Sequence, residues 1–261
     1  MRGLLHLFRN DLCGVAIFKR ENAAIRTASR NLSLLRDADV MLETCNAIIQ
    51  ARDKETRKEE FGWITQAFRD RRKELNREKT HLADKLDEYR SAITDVRQRV
   101  NGWLLRSDGF DSVRQGLEET YQRCITEMDT ALREYTDDAF HEWRKVVKYH
   151  RYHCRLLGPV WTPVMRARHK QTQKLSEYLG DDHDLAVMRQ IIRQEKECRF
   201  SARDNAEQFI HLLNAESERL RYESNFLGTR LFTESAEDFT ERIHGYWECW
   251  RNQKKVYSVV K

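Results

Sequence analysis

Apolar positions recur at helical spacing along almost the whole chain. The pattern predicts helices over roughly 1–13, 20–52, 55–85, 86–105, 112–135, 137–157, 161–180, 183–198, 200–224 and 233–256. Breaks are expected at Gly14, between Gly102 and Gly109, at Gly158-Pro159, at Gly180 and at Gly228. A β-sandwich needs turn residues every few positions, and a doubly wound sheet needs glycines at its βα turns. This chain has two prolines, Pro159 and Pro163, and ten glycines, which supplies neither. The fold class is all-α.

Composition narrows the reading further. Charged residues make up 34% of 261, yet six Trp, eleven Phe and nine Tyr provide the apolar payload of a folded core. No run of 18 apolar residues exists. The start is too polar and its apolar part too short for a signal peptide. Six scattered cysteines form no C-x-x-C pair, which excludes zinc-knuckle and thioredoxin-like readings and suits a reducing cytoplasm. The net charge is +5, but it is unevenly placed. Residues 51–100 interleave their signs, as a solvated helical hairpin does. Residues 141–170 hold eight Lys and Arg against one acid, and four of the nine histidines.

That segment has two faces. At about 100° per residue, Arg144, Lys145, Lys148, Arg151 and Arg155 share an arc of about 120° with His141. Trp143, Val146, Val147, His150, Cys154 and Leu157 lie opposite, so His150 reads as a core histidine. Glu142, the one acid, falls off the stripe. Like charges at i,i+3 and i,i+4 each cost a few tenths of a kcal/mol, so a solvated face normally mixes signs. An uncompensated stripe points to a polyanion. It has no carboxylate for acid–base work and no thiol nucleophile on the same face, which makes it a binding surface.

Two stretches echo each other. Arg36-Asp37-Ala38-Asp39-Val40-Met41 aligns with His183-Asp184-Leu185-Ala186-Val187-Met188 at an offset of 147. The segment from Met1 to Phe8 aligns with His150 to Leu157 at 149, with Arg2 on Arg151. Nearly equal offsets suggest a duplicated helical unit. Asp37 and Asp184 are expected to cap or orient their basic neighbours.

His141-x-x-Arg144-Lys145-x-x-Lys148, followed by Leu179-Gly180-Asp181-Asp182-His183-Asp184-Leu185-Ala186-Val187, resembles the CHAD domain, the conserved-histidine α-helical domain. Arg2-Gly3-Leu4-Leu5-His6-Leu7-Phe8-Arg9, Arg20-Glu21-Asn22, Leu32 to Val40 and Gly116 to Arg123 extend the resemblance over roughly residues 1–200. It implies two helical bundles related by a pseudo-twofold axis, one over 1–110 and one over 111–261, with a basic channel between them. It also implies inorganic polyphosphate as partner and polyphosphate granules as a location, with no cofactor and no metal. The family's first bundle opens with its own basic helix. By the offsets, the counterpart of His141 would lie about eight residues before Met1, so the first helix is expected to lack its N-terminal part. The expected polyphosphate-binding residues are His141, Arg144, Lys145, Lys148, Arg151, Arg155, Arg2, His169 and Lys170. His141 near its ordinary pKa is expected to add charge below about pH 6.5.

Other readings of the same residues differ in kind. Nucleic acid would use the same stripe, against which stand few exposed aromatics for base stacking and no helix-turn-helix spacing. A phosphohydrolase would need a carboxylate cluster for a divalent cation, which the pattern does not supply. Glu195-Lys196-Glu197-Cys198-Arg199 resembles the Glu-x-Glu-x-Lys motif of triphosphate tunnel enzymes only faintly and reads as helix. Tyr246-Trp247 and Trp250 read as packing.

Overall fold

The computed structural model describes residues 1–50, 54–77, 82–194 and 205–259. Among these there is no strand. The helices are α1 (Arg2–Leu7), α2 (Val15–Gln50), α3 (Lys54–Arg77), α4 (Leu82–Val100), α5 (Asp111–Glu134), α6 (Asp137–Leu156), α7 (Thr162–Gln194), α8 (Asn205–Leu231) and α9 (Ala236–Val259), with a 3₁₀ turn at Gly158–Val160. The all-α expectation holds. Two expected breaks do not. Gly180 lies inside α7, so the helices expected at 161–180 and 183–198 are one, and Gly228 lies inside α8. A single glycine costs a helix only about 1 kcal/mol, less than the packing of its apolar face returns. The motif at 195–199 lies outside the described residues.

The chain packs as two compact units. The first comprises Met1–Ala23, Gln98–Leu179 and Glu223–Lys261; the second comprises Ala24–Arg97 and Gly180–Tyr222. These units do not follow the halves 1–110 and 111–261. Each half contributes to both, because α2, α4, α7 and α8 each carry residues of both units.

In the first unit, Leu117, Tyr121, Trp143, Val147, Leu175, Phe239 and Ile243 form part of one buried cluster. Tyr121 stacks on Phe239 at 4.3 Å and donates its hydroxyl to the Leu231 carbonyl at 3.1 Å. Glu21 is fully buried and takes a two-armed contact from Arg99, at 2.9 and 2.8 Å. That guanidinium holds its carboxyl below the usual range. In the second unit, Phe61 packs on Phe209 and Asp182 is buried. Asp182 accepts from Ser217 at 2.6 Å and pairs with Arg221 at 3.1 Å. Of the acids in the Gly180–Asp184 motif, Asp182 is the most deeply buried. The side chains of Arg36 and Asp37 lie outside the described residues.

Helix α1 is only six residues long and is placed by glycines. A Cβ at Gly116 would lie 2.0 Å from the Leu7 carbonyl oxygen and 2.8 Å from that of His6. Both are backbone atoms, so α1 itself would have to shift off α5. Gly116→Ala is therefore expected to destabilise the protein by about 3 kcal/mol or more, read as a lower melting temperature. Gly62→Ala is the control. It sits in α3 with nothing within 4 Å of the added methyl, and should gain about 0.5–1 kcal/mol.

Candidate functional site

Helix α6 follows α5 after two residues. Tyr135 takes a left-handed conformation, φ 53°, and its ring meets Phe140 edge-on. Thr136 then caps α6 by accepting the Ala139 N–H at 3.2 Å, and Asp137 and Asp138 fill the first turn, where the helix dipole favours acids. The inner face is the expected one: Trp143, Val146, Val147, His150 and Cys154 are all buried, and so is His153. Trp143 fixes the seating. Its ring lies where a Cβ on Gly228 would be, 2.7 Å away, so the α8 glycine is a close approach rather than a break.

The outer face carries the cations. Lys145, Lys148 and Arg155 are exposed; His141, Arg144 and Arg151 are half-buried. The Arg151 guanidinium lies over the Tyr152 ring at 5.0 Å. One expectation fails at Lys145. Its Nζ donates to both Glu142 oxygens, at 2.7 and 2.8 Å. An i,i+3 spacing puts the two side chains about 60° apart on the wheel, and flexible arms span that. The stripe is therefore partly compensated. His141 also departs from expectation: burial first, then Arg144 and Lys145, depress its pKa below the ordinary histidine value. Its extra charge arrives at lower pH than 6.5.

Arg2 joins the stripe from α1. Its Nε donates to Asn22 Oδ1 at 2.9 Å, and its guanidinium lies 5.5 Å from the centre of the Tyr149 ring. Here the Arg20-Glu21-Asn22 motif acquires a purpose, since Asn22 positions Arg2 while Glu21 takes Arg99. His6 stacks on Tyr149 at 3.9 Å and meets Phe18 edge-on at 5.2 Å. Burial, then Arg2, His153, Arg123 and Arg9, press its pKa down to about 4. Arg9, over Phe18, and Arg123, on α5, thus widen the basic surface beyond the expected set. His153 donates to the Gly3 carbonyl at 2.8 Å and is likewise held near 4 by burial.

At the C-terminal end of α6, His169 of α7 lies close enough to Arg151 and Arg155 for both to lower its pKa, after burial. Lys170 is exposed beside it, and no hydrogen bond or ion pair joins it to the stripe among the described residues. Arg168, which the sequence places with the basic neighbours of His169, turns inward instead. It donates to the Leu231 carbonyl at 2.9 Å, pairs with Glu234 at 3.5 Å and lies over Phe239 at 4.4 Å. His150 is the expected core histidine, enclosed by Tyr121, Phe232 and Phe239. Only its Nε2 finds a partner, the Cys154 thiol at 3.5 Å; its Nδ1 has none. Among the described residues, no three His, Cys, Asp or Glu side chains converge to hold a metal ion, and no helix is long and apolar enough to cross a membrane.

The fold and this surface define an all-helical domain built around a one-sided basic helix. The family model for the CHAD domain matches residues 1–193, and the chain belongs to that family. No curated protein and no solved structure matches it.

Proposed function

We propose that this protein binds inorganic polyphosphate without turning it over, and that it acts at polyphosphate granules. One observation carries the reading: α6 commits its inner face to the core and lays Arg144, Lys145, Lys148, Arg151 and Arg155 along the other. That run covers about 17 Å of helix axis. Arg2 beside its middle widens it, and His169 near Arg151 and Arg155 adds to it at its C-terminal end. Polyphosphate carries a charge on every unit and has no base to read, so a row of guanidinium and ammonium groups suffices to hold it. The resemblance to CHAD domains points to the same partner and to a pseudo-twofold arrangement of two bundles. The contact of Gly3 with Tyr152 supports that arrangement, because the offset of 149 makes those two residues equivalent, and equivalent residues meet on a twofold axis.

Binding by this route is electrostatic. The slope of log K against log salt is expected to be several units in magnitude. Polyphosphate should displace DNA and RNA of matched charge, since the Tyr149 ring is already stacked on His6 and the Tyr152 ring already lies under Arg151. A salt-independent affinity, or nucleic acid that resists displacement, would overturn the reading.

A further inference from the structure

A pocket of about 360 Å³ opens between the end of α6, the 3₁₀ turn and the start of α7. Its character differs from that of the stripe. Cys154, Pro159 and Met165 give it an apolar floor. Arg155, Arg166 and His169 give it a basic wall, and Thr162 adds a hydroxyl. Cys154 stays a neutral thiol, because burial pushes its pKa up to about 11. A bare phosphate would have to shed water against that floor for no return. A ligand with an anionic end and a flat apolar body uses both surfaces, the usual division of labour in small-molecule sites of this size. Two arginines suit such a ligand: one guanidinium can clamp a phosphate while the other stacks on a ring, and the Met165 thioether favours aromatic contact.

We infer that this pocket is a binding site for a nucleoside monophosphate. Arg155 lines the pocket and also belongs to the stripe, but Arg166 lies outside the stripe, so the two sites can be separated. The inference does not rest on the polyphosphate reading. Gly158 offers a second handle: it lines the pocket, and a Cβ there meets nothing within 4 Å. A side chain at that position therefore starts in open space at the pocket lining.

The test is titration calorimetry of the full chain with adenosine 5′-monophosphate, adenosine and inorganic phosphate. The monophosphate is expected to bind and the other two to bind at least about tenfold more weakly. Arg166→Ala should weaken monophosphate binding by about tenfold, the scale of one lost charge-assisted contact. Gly158→Leu keeps every charge and should abolish monophosphate binding while leaving polyphosphate binding unchanged. Replacing Lys145 and Lys148 by alanine, which leaves the pocket lining whole, should weaken polyphosphate binding and leave monophosphate binding unchanged. No binding of the monophosphate overturns the proposal. So does equal binding of phosphate or adenosine, or indifference to Gly158→Leu.

Discussion

Replacing Arg144, Lys145 and Lys148 together by glutamate is expected to lower polyphosphate affinity by about a thousandfold or more at low salt, with helical content retained. The three positions sit on the outer face of α6, two of them exposed and one half-buried, while the seating of the helix rests on Trp143, Val146, Val147, His150 and Cys154. The substitution therefore changes the charge of the stripe without emptying the core. It takes away three counterion-releasing contacts and puts three repulsive groups in their place, beside the Glu142 already there. Lys145 must give up its ion pair with Glu142 before it meets a phosphate, which lowers its net contribution. Circular dichroism checks the fold and filter binding the affinity. An unchanged affinity would move the site off α6.

The two faces of α6 were legible in the sequence because a 3.6-residue period and one-signed charge are both local patterns. So were the all-α class and the burial of His150. What escaped is long-range. Arg2 and Asn22 are 20 residues apart, His153 and Gly3 are 150 apart, and no pattern announces either contact. Arg168 reads like its neighbours Arg166 and Lys170, yet one turn of geometry sends it to Glu234 and the rings of Tyr121 and Phe239. Gly180 and Gly228 look like punctuation, because glycine marks both helix ends and close contacts. Only the Trp143 ring beside Gly228 tells which of the two that glycine is. The compact units differ from the sequence halves for a similar reason. Duplication is written along the chain, whereas compactness depends on where helices as long as the 36-residue α2 carry it.

Mild acid is expected to destabilise the first unit steeply, well above the range where its carboxylates protonate. His153 is fully buried and held near pKa 4, against about 6.5 in an unfolded chain. At pH 8 both states hold it neutral, and its full contribution to stability is present. As pH falls through 6.5 the unfolded chain takes up a proton that the folded protein refuses until about 4, so stability drains away across that interval. Between pH 8 and pH 5 the loss from His153 alone is about 2 kcal/mol. His150, buried among three rings and pushed well down by burial, acts with the same sign. His6, less deeply placed and facing Arg2, Arg9 and Arg123, adds a smaller share. The share of His153 alone corresponds to a fall in melting temperature of roughly 5 °C, and the other two histidines add to it in the same direction. Calorimetric melts at pH 8, 6.5 and 5 measure it directly. His150→Phe keeps a ring in the aromatic enclosure and removes one titrating site, so its melting temperature should fall less between pH 8 and pH 5 than that of the parent, whatever its value at pH 8. Equal melting temperatures of the parent at pH 8 and pH 5 would mean that these histidines are not held neutral in the core, and that the contact of His153 with the Gly3 carbonyl is made by a charged ring.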